Sequence, residues 1–342
     1  MESLVRPINL AESSSLQEWR ALSAPKEPIW VCNTENTVVR MAKNILSVLI
    51  FPIGLVRLLH RVVGNIIVPA TLFTKMGVSP NEEAFRVFSA GWNIQRVSIQ
   101  TDGRIVDAAI VTRKDATLVQ PHRWTLLSGG NGEFLHDLGN LALVGELQSN
   151  GVYYNYPGVM GSTGEPSRST IAKTSRVMLK FLEERLQAKE IIWYGHSLGG
   201  GAQEAFSEHV QKADVKYCLM KSRTFSHLRK VAQDMFGGYR LFSFLVWFFG
   251  WDMSPVASVR NTNVPQIILQ TDPKIFTNFV FRSDDIITEE SSLAKAVVDV
   301  VNPKCKKLFV SEMHNDFLTQ DTLQRLKNLV KNEGFLMQEA AG

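Results

Sequence analysis

IIWYGHSLGGGAQEAF, residues 191–206, decides how the rest of the chain is read. Ile191, Ile192, Trp193 and Tyr194 form a short apolar run of the kind that makes a buried strand. Gly195-His196-Ser197-Leu198-Gly199 follows as a sharp turn, and LGGGAQEAFSEHVQ reads as a helix. A serine at the tip of such a strand-to-helix turn is held in a strained backbone conformation. Its neighbours must be small, and Gly195 and Gly199 meet that need. The start of the helix offers free N–H groups and positive dipole character, which suits a developing oxyanion. The alternative is a serine that only caps the helix. Strand on one side and helix on the other favour a nucleophile.

Working outward, the same alternation recurs. NIQRVSIQT (93–101), an Asp102-Gly103 turn and RIVDAAIVT (104–112) alternate apolar and polar residues as a two-stranded hairpin does. RWTLLSGG (123–130) reads as a strand, and FLHDLGNLALVGELQSNG as a helix closed by Gly151. VYYNYPG (152–158) is the next strand, and TIAKTSRVMLKFLEERLQA (170–188) an amphipathic helix. After the elbow come strands at VKYCLM (215–220), VPQIILQ (264–270), FVF (279–281) and KKLFV (306–310), then a closing helix DTLQRLKNLVKNEG. Strand-helix repeats after a hairpin imply an α/β fold: a mostly parallel central sheet with helices on both faces.

Residues 89–221 and 264–342 therefore form the expected core. Residues 222–263 interrupt it as a helical cap insertion rich in aromatics, FGGYRLFSFLVWFFGW at 236–251. Residues 1–40 read as a polar, loosely held extension and 41–88 as an apolar helical region. Within the latter, NILSVLIFPIGLV (44–56) and VVGNIIVPATLF (62–73) are separated by Arg57, His60 and Arg61. Neither reaches the ~20 residues that span a bilayer, so a membrane-surface or core element is expected.

With 342 residues, 45% hydrophobic and 20% charged, the chain has the composition of a globular protein able to bury a large core. A net charge of +4 without a long basic run gives no case for nucleic acid. Three scattered cysteines, Cys32, Cys218 and Cys305, fit neither a disulfide framework nor a zinc site and point to a reducing compartment. The first residues, MESLVRPINLAESSSLQEW, lack the apolar core of a secretory signal peptide. A cytoplasmic or membrane-peripheral location is expected.

A nucleophilic serine needs a base, and the base an orienting acid. With the elbow motif the chain order is serine, acid, histidine. Of seven histidines, His314 in KKLFVSEMHNDF directly follows the last apolar strand, where the base belongs. Three carboxylates compete as its partner: Asp284, Asp285 and Asp272, each just past a strand-like segment, with Asp284 favoured. The oxyanion needs two backbone donors. Leu198, after the serine, is one; Asn131 in SGGNGEF (128–134) is the candidate second. No cofactor and no metal is implied.

These residues resemble the α/β-hydrolase superfamily (lipases, esterases and thioesterases) from about residue 93 to the end. YNYPGVMGSTGEPS (154–167) is similar to the superfamily's Y-D-Y-R-G-x-G-x-S-x-G loop, and MKSRTFSHLRKVAQ to the start of a cap. SDDIITEESSLA is similar to the D-x-I-V-P acid loop, which aligns Asp284 with the acid. More narrowly the chain resembles the 43 kDa hydrolase-like family of Chlamydia and related Legionella proteins of the SidB type. That resemblance implies a bacterial effector acting inside host cells, with KNEGFLMQEAAG as a candidate secretion signal. Three departures stand out: Asn155 replaces the usual aspartate, Gly129-Gly130 replaces His-Gly, and the link between VPQIILQ and SDDIIT is longer than the familiar G-x-x-D arrangement, which leaves open which aspartate reaches His314.

The expected function is a serine hydrolase cleaving acyl esters or thioesters of apolar, lipid-like substrates through Ser197, His314 and Asp284. Trp247, Phe248 and Trp251 in the cap are candidate substrate or lid residues, and a membrane surface is a candidate partner. A catalytically silent hydrolase scaffold that binds a membrane or host protein is the alternative.

Overall fold

The computed structural model describes residues 8–9, 28–33, 37–39, 41, 51–76, 91–115, 117, 119–135, 139–272, 284–300 and 302–335. The strands are β1 (Ile8–Asn9), β2 (Trp30–Val31), β3 (Trp92–Thr101), β4 (Arg104–Arg113), β5 (Arg123–Ser128), β6 (Asn150–Tyr154), β7 (Glu190–His196), β8 (Lys216–Ser222), β9 (Gln266–Thr271) and β10 (Cys305–Val310). Ahead of the sheet core lie α1 (Phe51–Ile67) and α2 (Ala70–Lys75). Within it come α3 (Leu141–Glu146), α4 (Arg168–Lys180) and α5 (Leu198–Ala202), then α6 (Leu228–Met235), α7 (Arg240–Phe248) and α8 (Val256–Asn261) between β8 and β9. Finally α9 (Leu293–Ala296) and α10 (Gln320–Asn332) flank β10.

The strands make one sheet in the order β1-β3-β4-β6-β5-β7-β8-β9-β10, with β2 also on β3. From β6 through β10 every pairing is parallel, and the β3–β4 hairpin joins it antiparallel. Asp102 and Gly103 both take positive φ, 48° and 71°, as a two-residue hairpin turn requires. β7 is buried on both faces because its side chains alternate between two cores. Ile191 and Trp193 pack with Leu126, Ile171, Val177 and Met178. Ile192 and Tyr194 pack with Leu127, Leu323 and Leu326 on the opposite face. The mostly parallel sheet with helices on both faces stands as the sequence predicts.

Three details differ from the reading of the sequence. The helix expected to close at Gly151 spans only Leu141–Glu146; Gln148, at φ 50°, turns the chain, and Gly151 lies inside β6. A side chain with Cβ makes the stop that a glycine was expected to make. The α4 helix continues through a π-turn at Phe181–Arg185, ending near the expected boundary. The N-terminal stretch is tied to the sheet at two points, Ile8–Asn9 antiparallel and Trp30–Val31 parallel to β3. The expected strand at 279–281, the tail 336–342 and parts of 41–88 lie outside the described residues.

Asn155 has a physical reason. Asp107 of β4 is fully buried and holds Arg96 through two bonds of 2.6 Å, Nε to Oδ1 and Nη2 to Oδ2. The Asn155 side chain donates to Asp107 Oδ2 at 3.0 Å and accepts from the Leu135 N–H at 2.9 Å. Donor and acceptor on one side chain are needed there; an amide supplies both, whereas a carboxylate at neutral pH only accepts. Asn155→Asp sets a second carboxylate against Asp107 without a donor between them. It is expected to cost about 3 kcal/mol in urea unfolding at neutral pH, and less in acid where the new carboxyl is protonated. An unchanged midpoint would show that the pair tolerates the second charge.

Candidate active site

Parallel β5, β7 and β8 end side by side, and the elbow rises from the middle one. Ser197 sits at φ 50°, ψ −112°, outside the regions that L-residues ordinarily occupy. Its backbone is fixed on both sides. The N–H donates to Ser222 O at 3.0 Å, while Ser197 O accepts from Thr224 Oγ1 at 2.7 Å and Gly200 N at 3.0 Å. The flanking glycines are required by close approach. A Cβ on Gly195 would lie 2.4 Å from Gly199 O, and one on Gly199 2.0 Å from Ser128 O. The turn therefore closes only with glycine at both positions, and Ser197 is left half-buried at its tip.

His314 follows β10 and is buried, with the ring of His196 4.9 Å away, centroid to centroid. Since His196 is Ser197's immediate neighbour, this brings His314 to the elbow. His314 Nδ1 lies 3.1 Å from Asp284 Oδ2, and the His314 N–H donates to Asp284 O at 3.1 Å. Asp284 is fully buried, and its Oδ1 accepts from Ile287 N at 2.6 Å and Ile286 N at 3.2 Å. Gln270 Nε2 also donates to Oδ2 at 3.4 Å, so two backbone amides, a side-chain amide and the imidazole surround the carboxylate and compensate its burial. Asp285 is exposed at φ 72°, and Asp272 donates its N–H to Val310 O. Of the three aspartates, Asp284 is the one brought to His314.

Leu198 opens α5 and is buried. Asn131 is exposed on the loop after β5, and its carbonyl accepts from the Ala70 N–H of α2 at 3.3 Å. The Tyr156 hydroxyl donates to Gly129 O at 2.8 Å, so this glycine-bearing loop is held from two sides. Trp247 and Phe248 turn more than half of their surface outward. Trp251 is fully buried, with its ring stacked on His60 at 5.5 Å. The three rings therefore do not line one surface: two face solvent and the third packs inside.

The sequence reading missed three participants. Glu133 folds back over the loop, its carboxylate oxygens 2.8 and 3.1 Å from where Cβ atoms on Gly129 and Gly130 would lie, and 3.6 Å from His196 Nε2. Burial, with Arg223 and His314 adding in the same direction, pushes the His196 imidazole well below its ordinary value. It is thus a neutral neighbour for His314 at pH 7. Arg223, at φ 45°, donates through Nη1 to the carbonyls of Met313 and, at 2.8 Å, Asp316, clamping the loop that carries His314. An arginine directly after a central strand was the available signal. Glu133 could be read only as part of SGGNGEF.

A sequence model of the family described as Chlamydia CHLPS protein (DUF818) matches residues 13–333. The Pyrococcus furiosus esterase Pf2001 superimposes with TM-score 0.54 and 13% identity, covering 72% of this chain and 92% of that one. An alpha-beta hydrolase from Vibrio vulnificus gives TM-score 0.51 and 13% identity over 71% of this chain and 81% of that one. These likenesses show an α/β-hydrolase fold. The phosphatidylserine lipase ABHD16A of Macaca fascicularis is 31% identical over 101 residues, 29% of this chain. The chain covers 18% of that relative's length.

Proposed function

We propose, for a chain that belongs to the Chlamydia CHLPS protein family (DUF818), a serine hydrolase that cleaves acyl esters or thioesters of apolar, lipid-like substrates. The observation that carries this reading is the strained Ser197 elbow beside a buried His314–Asp284 pair. Ser197 Oγ attacks the acyl carbon while His314 Nε2 takes its proton. Asp284 holds the Nδ1–H and stabilises the imidazolium. The N–H groups of Leu198 and Asn131 receive the oxyanion. Collapse of the tetrahedral intermediate expels the alcohol or thiol, which takes the proton from His314. Water then repeats the sequence on the acyl-enzyme, releasing the acid and freeing Ser197.

Similarity to a lipase over 101 residues and the solvent-facing rings of α7 support an apolar acyl group. The test is a series of p-nitrophenyl esters of rising chain length, with and without vesicles. We expect kcat/KM to rise with chain length, each buried CH₂ contributing about 0.8 kcal/mol. A preference for acetate would reassign the protein to short-chain ester hydrolysis. No turnover of any ester or thioester would leave the silent scaffold.

A further inference from the structure

Ser222-Arg223-Thr224-Phe225-Ser226, which carry the chain off the end of β8, are all buried although four of them are polar. Burying such a run costs free energy unless its polar groups find partners. Most of those partners lie on the three segments that carry Ser197, His314 and Asp284. Ser222 O accepts from the Ser197 N–H at 3.0 Å, and Thr224 Oγ1 donates to Ser197 O at 2.7 Å. Arg223 Nη1 donates to Met313 O and, at 2.8 Å, to Asp316 O, one on each side of His314. Thr224 O accepts from the Leu293 N–H at 2.9 Å. Ser226 donates to Ser291 O through its N–H at 2.7 Å and its hydroxyl at 3.1 Å. Ser291 and Leu293 belong to the stretch that runs on from Asp284 into α9.

Arg223 is fixed at both ends. Its N–H donates to Leu269 O at 2.8 Å, and its backbone stands at φ 45°, a conformation that a residue with a Cβ keeps only where its surroundings hold it. On the other side, Asp316 N donates to Met313 O at 3.2 Å and Met313 N to Asp316 Oδ2 at 2.9 Å. Residues 313–316 therefore form a closed turn, and one guanidinium nitrogen grips two of its carbonyls. Helix α6, next along the chain, is tied to the Asp284 loop as well. Asp234 Oδ2 accepts from Thr288 Oγ1 at 2.7 Å and from the Ser291 hydroxyl. Ser226 O in turn accepts from Ser254 Oγ at 2.9 Å, so both ends of the α6–α7 pair meet at this run.

We propose that residues 222–226 are a strap that holds Ser197, His314 and Asp284 in mutual register, with Arg223 the positioning residue for His314 and Asp234 the positioning residue for the Asp284 loop. Neither side chain meets the reacting atoms. Arg223 acts through the carbonyls of Met313 and Asp316, and Asp234 through the hydroxyls of Thr288 and Ser291. Three side chains drawn from distant parts of the chain must converge to within a fraction of an ångström for proton transfer. A single buried segment bonded to all three loops supplies that convergence, and the seat of α6 sets how closely it is met.

Hydrogen exchange read by mass spectrometry on the full chain carrying Ser197→Ala tests the strap apart from the serine-hydrolase reading, on which only the kinetic consequence rests. Adding Arg223→Ala is expected to speed exchange over residues 311–316 about tenfold or more, and adding Asp234→Ala to do the same over 286–293. Exchange in β5 and β7 at the parent's rate marks a folded variant. Asp234 is exposed, so its substitution tests the strap even where Arg223→Ala does not fold. With Ser197 intact, Arg223→Ala should lower kcat for a p-nitrophenyl ester about 10²-fold and leave KM within about threefold. Guanidinium chloride, far below denaturing concentrations, should restore part of that loss in Arg223→Ala and none in Ser197→Ala. A side chain that only fills space would give no such rescue. The proposal is overturned if both variants exchange like the parent. It is also overturned if Arg223→Ala loosens residues 311–316 while kcat stays within about threefold of an active parent. A parent that turns over no ester, with both exchange changes present, would end the hydrolase reading and leave the strap standing.

Discussion

Ser197→Ala is expected to abolish fluorophosphonate labelling and to lower ester hydrolysis by about 10⁴- to 10⁶-fold, with the melting temperature unchanged. The separation of activity from stability follows from how the elbow is held. The bonds that fix residue 197 run through its backbone, to Ser222, Thr224 and Gly200, and alanine keeps them all. What disappears is the hydroxyl at the half-buried tip. A drop in activity therefore cannot be assigned to a damaged turn, as it could for Gly199→Ala, whose Cβ would drive into Ser128 O. Equal labelling of parent and variant would place the nucleophile elsewhere and end the serine-hydrolase reading.

Asp284→Asn is expected to lower kcat about 10⁴-fold, while Asp285→Asn stays within a few-fold of the parent. The amide can still accept through its oxygen from the Ile286 and Ile287 N–H groups, so the loop keeps its shape. Its NH₂ group then faces His314 Nδ1 in place of an acceptor. That stabilises the tautomer with Nδ1 unprotonated and leaves Nε2 carrying the hydrogen, unable to take one from serine. It also removes the negative charge that stabilises the imidazolium. Asp285 is one residue on and exposed, whereas Asp284 is the buried carboxylate at His314 Nδ1. If instead Asp285→Asn or Asp272→Asn carried the large loss, the acid would be reassigned and the loop would have to rearrange during turnover.

How much of this was legible in the sequence depends on whether the signal was local. The hairpin was read to within a residue because alternation and an Asp-Gly turn are properties of neighbouring residues. The elbow was legible for the same reason. The length of α3 was not, since Gln148 accepts a left-handed conformation that its side chain does not advertise. Three aspartates lay near strand ends, and only folding tells which carboxylate meets the imidazole. The aromatic run at 236–251 was seen as a unit, yet its rings divide between solvent-facing Trp247 and Phe248 and buried Trp251. Helical phase and a partner about 190 residues earlier, His60, make that division, and neither shows in a tally of aromatics.

The two short strands laid along β3 bear on the chain's tendency to aggregate. β3 is ten residues long, with β4 on its inner side. Its other side is occupied in two patches, Ile8–Asn9 opposite Gln95–Arg96 and Trp30–Val31 opposite Ile99–Gln100, running in opposite directions. A foreign strand pairing there would need a continuous row of free amides in a single direction, and these patches deny it one. Clipping the chain after residue 33 would bare that row, so proteolytic nicking there would leave a soluble-looking fold with an adhesive border.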